Sequence, residues 1–210
     1  MRKAILATGL SLSMLGALPA PAASAAPAGP DQFKVQVVKA GGSGCPAGST
    51  TVDITDDNRF SVIYDQFFVW TGPGSTPPEH QKFCQVVIDV DVPPGLTYSI
   101  VDITHRGSAD LVKGAYGSQR ASYYWTGEPQ TGTAQSKIWG PFSGNWSFND
   151  VLKTVKLDPH PCGSAANLNA KLELGVKATT KEAKKSESSM SHHTTDGKFT
   201  TVFQIKWHNC

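Results

Sequence analysis

The segment 83–107, F-C-Q-V-V-I-D-V-D-V-P-P-G-L-T-Y-S-I-V-D-I-T-H-R-G, constrains this chain more than any other. Cys84, Val86, Ile88, Val90 and Val92 alternate with Gln85, Val87, Asp89 and Asp91. A period of two puts an apolar row on one sheet face and a more polar row on the other. Pro93-Pro94-Gly95 is a turn signal, since proline presets φ and glycine supplies positive φ. Leu96 to Thr104 is rich in β-branched and aromatic residues. The expectation is two long strands joined as an antiparallel hairpin, half-buried and needing a second layer to cover it.

Residues 1–25 carry the marks of a secretory signal. Arg2 and Lys3 form a positive start, Ala4 to Leu18 an apolar run, and Ala23-Ser24-Ala25 a small-residue cleavage pattern. The run is too short for a membrane span, and no later stretch of about 18 apolar residues exists. A secreted, extracellular protein without a membrane partner is expected. Residues 26–40 then read as a lead-in with a first strand, and 41–210 as a single domain.

Charge and cysteines narrow the class. The whole chain has 19 Lys+Arg against 17 Asp+Glu, and Arg2 and Lys3 would leave with the signal. The exported chain is then balanced, which disfavours nucleic acid, a ligand that needs a clustered basic surface. Cys45, Cys84, Cys162 and Cys210 are an even set in an exported chain, so two disulfides are expected. Zinc would want close pairs such as C-x-x-C, and these four are scattered. Of three connectivities, the sequential pairs Cys45–Cys84 and Cys162–Cys210 are favoured.

The rest is punctuated by turns. Strands are expected at 33–39, 50–55, 59–70 (one bent strand), 109–116, 119–126, 137–142, 151–157, 170–179 and 199–208. The last two read as a hairpin with a polar, mobile tip at 181–197. Short strands, 20 glycines, 14 prolines and no helical periodicity indicate an all-β fold, a disulfide-stabilised antiparallel β-sandwich.

Catalytic motifs are scarce. Asp89 and Asp91 share a strand face, about 7 Å apart, and could serve acid–base chemistry or calcium. Asp56-Asp57-Asn58 lacks the calcium-loop pattern, and His192-His193 falls in the expected mobile tip. There is no G-x-S-x-G elbow. No metal site, cofactor or catalytic residue is assigned. The aromatic cluster Tyr123, Tyr124, Trp125, Trp139 and Trp146 is the candidate binding region. In a strand, Tyr124 faces opposite to Tyr123 and Trp125, so at least one ring must be outward or cover an edge. Such rings can stack on sugars or anchor a protein interface. Asn145-Trp146-Ser147 is a glycosylation sequon where the host is eukaryotic.

Several motifs together resemble a known family. They are G-S-G-C-P from Gly42 to Pro46, Y-D-Q-F at 64–67, V-D-I-T-H-R-G at 101–107, Y-Y-W at 123–125, P-C-G at 161–163 and the terminal W-H-N-C. This set is similar to domain-of-unknown-function family 4360, secreted proteins of fungi and bacteria. The resemblance covers about residues 40–210 and implies a secreted, disulfide-bonded β protein. It brings no activity, cofactor or catalytic residue. The leading expectation is therefore a non-catalytic extracellular binding module, monomeric, with a protein or glycan partner. The alternatives are a hydrolase on extracellular polymer, using Asp89, Asp91, Asp102 or Glu128, and a secreted effector, inhibitor or toxin component.

Overall fold

The computed structural model describes residues 33–56, 58–129, 133–150, 156–193 and 201–210. The signal segment, most of the expected strand at 151–157 and the end of the expected tip lie outside them. The described strands are β1 Val35–Gly41, β2 Thr50–Asp56, β3 Arg59–Tyr64, β4 Phe68–Thr71, β5 Gln81–Val90 and β6 Leu96–Leu111. They continue with β7 Ala115–Trp125, β8 Thr133–Trp139, β9 Phe142–Asn149, β10 Leu168–Ala178, β11 Ser188–Ser191 and β12 Thr201–Asn209. One helical turn, α1 Pro77–His80, precedes β5. Two antiparallel sheets result. One has the order β1-β5-β10-β7-β8; the other has β2-β3-β12-β6-β11-β4, with β9 also on β6. The all-β sandwich is thus the fold, and its two disulfides are Cys45–Cys84 and Cys162–Cys210.

The alternation read in β5 is the inner lining of the five-stranded sheet: Cys84, Val86, Ile88 and Val90 are buried. Leu168, Ala170, Leu172 and Leu174 of β10 join them, facing Phe60, Phe203, Ile205 and Trp207 from the other sheet. Phe60 stacks on Phe203 at 4.9 Å between centroids, and Phe33 meets Trp207 edge-on at 5.9 Å. Burying rings of this size is the main stabilising term for such a layer pair.

Two expected hairpins are corrected by the pairing. The Pro93–Gly95 turn exists, with the Leu96 N–H donating to the Pro93 carbonyl at 3.1 Å and Gly95 at φ +80. It carries the chain from one sheet to the other, however, since β5 pairs with β1 and β10 while β6 pairs with β12, β9 and β11. Likewise β10 and β12 sit in opposite sheets, so 181–197 is no hairpin tip. Its described part holds a 3-10 turn, Ala183–Lys185, and β11, which slots between β4 and β6 with Met190 buried. The single bent strand expected at 59–70 is two strands interrupted at 65–67. There β3 pairs with β12 and β4 with β11. The strands expected at 109–116 and 119–126 are instead the end of β6 and one continuous β7.

Candidate functional site

The five aromatic candidates separate into core and surface. Tyr123, Trp125 and Trp146 face inward and are buried, which removes them from any binding rim. Tyr123 donates its hydroxyl to Asp150 Oδ2 at 2.7 Å, and His105 Nε2 lies 2.7 Å from the same hydroxyl. Burial, with the Asp150 carboxylate second, holds that hydroxyl well above the ordinary tyrosine range. Trp125 donates its indole N–H to the Asp158 carbonyl, and Trp146 to that of Ser108. His192, read as part of the tip, is fully buried against Phe67, Tyr64 and Trp146.

Tyr124 and Trp139 do face outward on the five-stranded sheet, as the alternation requires. Tyr124 accepts a hydrogen bond from Gln85 Nε2 at 2.8 Å. Trp139 is 61% exposed and packs on Tyr116, its cross-strand partner on β7, at 4.9 Å between centroids. Tyr116 and Tyr124 are eight positions apart on β7, on the order of 26 Å, so the two outward candidates do not form one site. Tyr116 was missed because the strand boundary was expected to run through it. The alternation Tyr116, Ser118, Arg120, Ser122, Tyr124 was the available signal.

Beside the Tyr116–Trp139 pair, an open groove of about 760 Å³ crosses the outer sheet face. Its floor includes Ser118, Arg120, Gln135, Glu173 and Gln81, and register explains the set. Arg120 lies directly between Glu173 of β10 and Gln135 of β8. The wall is the loop from Thr71 to His80. That wall is well tied. Glu79 accepts from Trp70 Nε1 at 3.0 Å and from the Thr76 backbone N–H at 2.7 Å. Those bonds, the Thr76 N–H first, hold its carboxyl below the ordinary range. Ser75 Oγ lies 2.8 Å from His80 Nε2 and donates to the Gly72 carbonyl at 2.7 Å.

A polar trough lined by Tyr116, with the exposed Trp139 packed against that ring, can hold an extended polar chain. Hydrogen bonds from the floor would orient it, while the rings cover its apolar faces. Trp139 is chemically distinct here. The other four tryptophans donate their indole N–H groups to Glu79, Asp158, Ser108 and Asn58. Trp139 has no such acceptor among the described residues.

The four carboxylates considered for hydrolysis do not all share one site. Asp89 and Asp91 line a second hollow of about 640 Å³, with His160 and Lys34, at the other side of β5. Asp89 Oδ2 is held there by Gln36 Nε2 at 2.9 Å. Asp102 lies on β6 in the opposite sheet, bonded by Thr104 and Asn149, and Glu128 is exposed in the turn after β7. Among the described residues, no three His, Cys, Asp or Glu side chains gather as a metal site. No helix among them is long and apolar enough to cross a membrane.

Comparison with known proteins adds the lineage. The family model "Domain of unknown function (DUF4360)" matches residues 31–210. A protein of the fungus Arthroderma benhamiae, an "Uncharacterized secreted protein", is 30% identical over 183 residues, 86% of this chain and 73% of that one. A solved structure of TmCBM61 in complex with beta-1,4-galactotriose aligns over 87% of this chain and 92% of its own. Its TM-score is 0.26 and its identity 10%, a likeness too slight to inform any residue. The chain belongs to the DUF4360 family, and the secreted relative and two disulfides mark it as an extracellular protein.

Proposed function

We propose that this DUF4360 member is an extracellular polysaccharide-binding module that holds its ligand in the groove on the outer face of the five-stranded sheet and does not cleave it. The observation carrying this reading is a polar groove lined by Tyr116, with Trp139, 61% exposed, packed against that ring at 4.9 Å. An exposed indole packed on a second ring beside a polar groove offers a flat apolar face on which a ligand ring can stack. Sugar rings suit the arrangement, since they offer apolar faces to the rings and hydroxyls to the floor. A flat protein partner would leave the trough unfilled.

Affinity gel electrophoresis across a panel of extracellular polysaccharides tests it. The protein should be retarded by at least one polymer and release no new reducing ends from it. Trp139→Ala should lose about 2 kcal/mol of binding, roughly thirtyfold, without lowering the melting temperature. Retardation undiminished in a Trp139→Ala/Tyr116→Ala double variant would contradict the assignment.

A further inference from the structure

We infer that the polymer taken by this groove is acidic: a chain of uronic acid sugars whose carboxylates are held by Arg120. This rests on the polysaccharide-binding reading above and specifies its ligand. The groove gathers Arg120, Lys177 and Lys184 against a single carboxylate, Glu173. Glu173 is already engaged by Lys171 Nζ at 3.2 Å. At the aromatic end, Lys137 Nζ sits 5.0 Å over the Tyr116 ring and adds a further cation.

This bias does not come from the protein as a whole. Without Arg2 and Lys3 the chain is balanced at 17 bases and 17 acids. The hollow on the other side of β5 has the reverse sign, with Asp89 and Asp91 against Lys34. Charge is therefore sorted between the two concave surfaces, and an open cationic trough favours an anion. Guanidinium also suits a carboxylate in particular, because its planar fork donates two parallel hydrogen bonds.

Spacing argues for a chain instead of a single acid. Arg120 is four residues along β7 from Tyr116, roughly 13 Å between backbone positions, a span that suits successive sugars of a chain. One residue of the polymer would stack on Trp139 while another presents its carboxylate to Arg120. Lys177 and Lys184 would add a weaker, salt-screened attraction.

Isothermal titration of the exported chain with oligogalacturonate, its methyl ester and a neutral β-glucan oligomer tests this. Oligogalacturonate should bind, with about tenfold loss on esterification and a similar loss in Arg120→Gln. Arg120→Gln should lose several-fold more affinity for the acid than for the ester, and should melt within about a degree of the unaltered protein. If the neutral oligomer binds as tightly as the acid and Arg120→Gln changes nothing, the acidic assignment falls while the polysaccharide reading stands. If no glycan binds, both fall. If the acid binds no better than polyaspartate and Trp139→Ala has no effect, the groove is only an ion exchanger and both fall.

Discussion

Replacing Tyr123 with phenylalanine separates the rings that build the fold from those that face a ligand. Tyr123 is fully buried, and its hydroxyl is one corner of a sealed polar cluster. It donates to Asp150 Oδ2 at 2.7 Å, and His105 Nε2 lies 2.7 Å from it. His105 Nε2 also lies 3.0 Å from Asp150 Oδ2, and His105 Nδ1 lies 3.0 Å from Thr201 Oγ1. Tyr123→Phe keeps the ring and opens no cavity larger than an oxygen atom. Among the described residues it leaves the Asp150 carboxylate with His105 alone, since Asp150 Oδ1 has no partner among them. A hydrogen bond to a buried charged group contributes about 1.5–3 kcal/mol, and leaving the group underpaired puts this change at the upper end. For a domain of this size, 2–3 kcal/mol corresponds to roughly 5–8 °C of melting temperature. Thermal melts followed by circular dichroism at fixed neutral pH, without reductant, measure it. Trp139→Ala in the same assay should stay within about 1 °C, because an exposed ring contributes little to folding. A Tyr123→Phe loss below 1 °C would show that the cluster is not load-sharing and refute the argument.

The two disulfides should differ in reactivity. Cys45 and Cys84 are fully buried whereas Cys162 and Cys210 are exposed, so mild reductant with mass mapping should open Cys162–Cys210 first. Removing that bridge by Cys162→Ser/Cys210→Ser frees a closure of 48 residues and should cost about 4 kcal/mol, read from denaturant unfolding. Stability should also fall on the alkaline side. Burial raises the hydroxyls of Tyr64, Tyr98 and Tyr123 above their ordinary 10.0. Unfolded tyrosines ionise near pH 10 while these stay protonated, so above that pH the unfolded chain binds fewer protons. The stabilisation is fully present below pH 10 and is lost above it, by up to about 1.4 kcal/mol per pH unit for each ring. Urea midpoints that stay flat from pH 9 to 11 would contradict this.

Much of the fold was legible because strand alternation records burial directly. Cys84 to Val90 and Leu172 to Val176 lie on the faces their sequence indicates. What alternation does not record is the neighbour. Pro93-Pro94-Gly95 makes the same turn whether the chain folds back beside itself or crosses to the opposite sheet, so the crossing was read as a hairpin. β11 was missed because S-S-M-S has one apolar residue. It is fixed by its two flanking strands, by Ser188 Oγ accepting from the Val112 N–H, and by Met190. The candidate site was half legible. Aromatic density pointed to Y-Y-W, yet density does not distinguish rings that fill a core from rings that line a surface. Trp139 was identified, but its pairing with Tyr116, and the place of Arg120 between Glu173 and Gln135, follow from the β7–β8 and β7–β10 registers.

The groove assignment is tested most directly by the indole region of a 1H–15N spectrum. Five tryptophans give five indole N–H resonances. Trp70, Trp125, Trp146 and Trp207 have theirs committed to Glu79, Asp158, Ser108 and Asn58. The titrant is an oligosaccharide cut from whichever polymer retards the protein in affinity gels. The predicted result is a saturable shift of the Trp139 indole signal while the other four hold still. A stationary Trp139 signal at saturation, with shifts at residues lining the Asp89–Asp91 hollow instead, would contradict it.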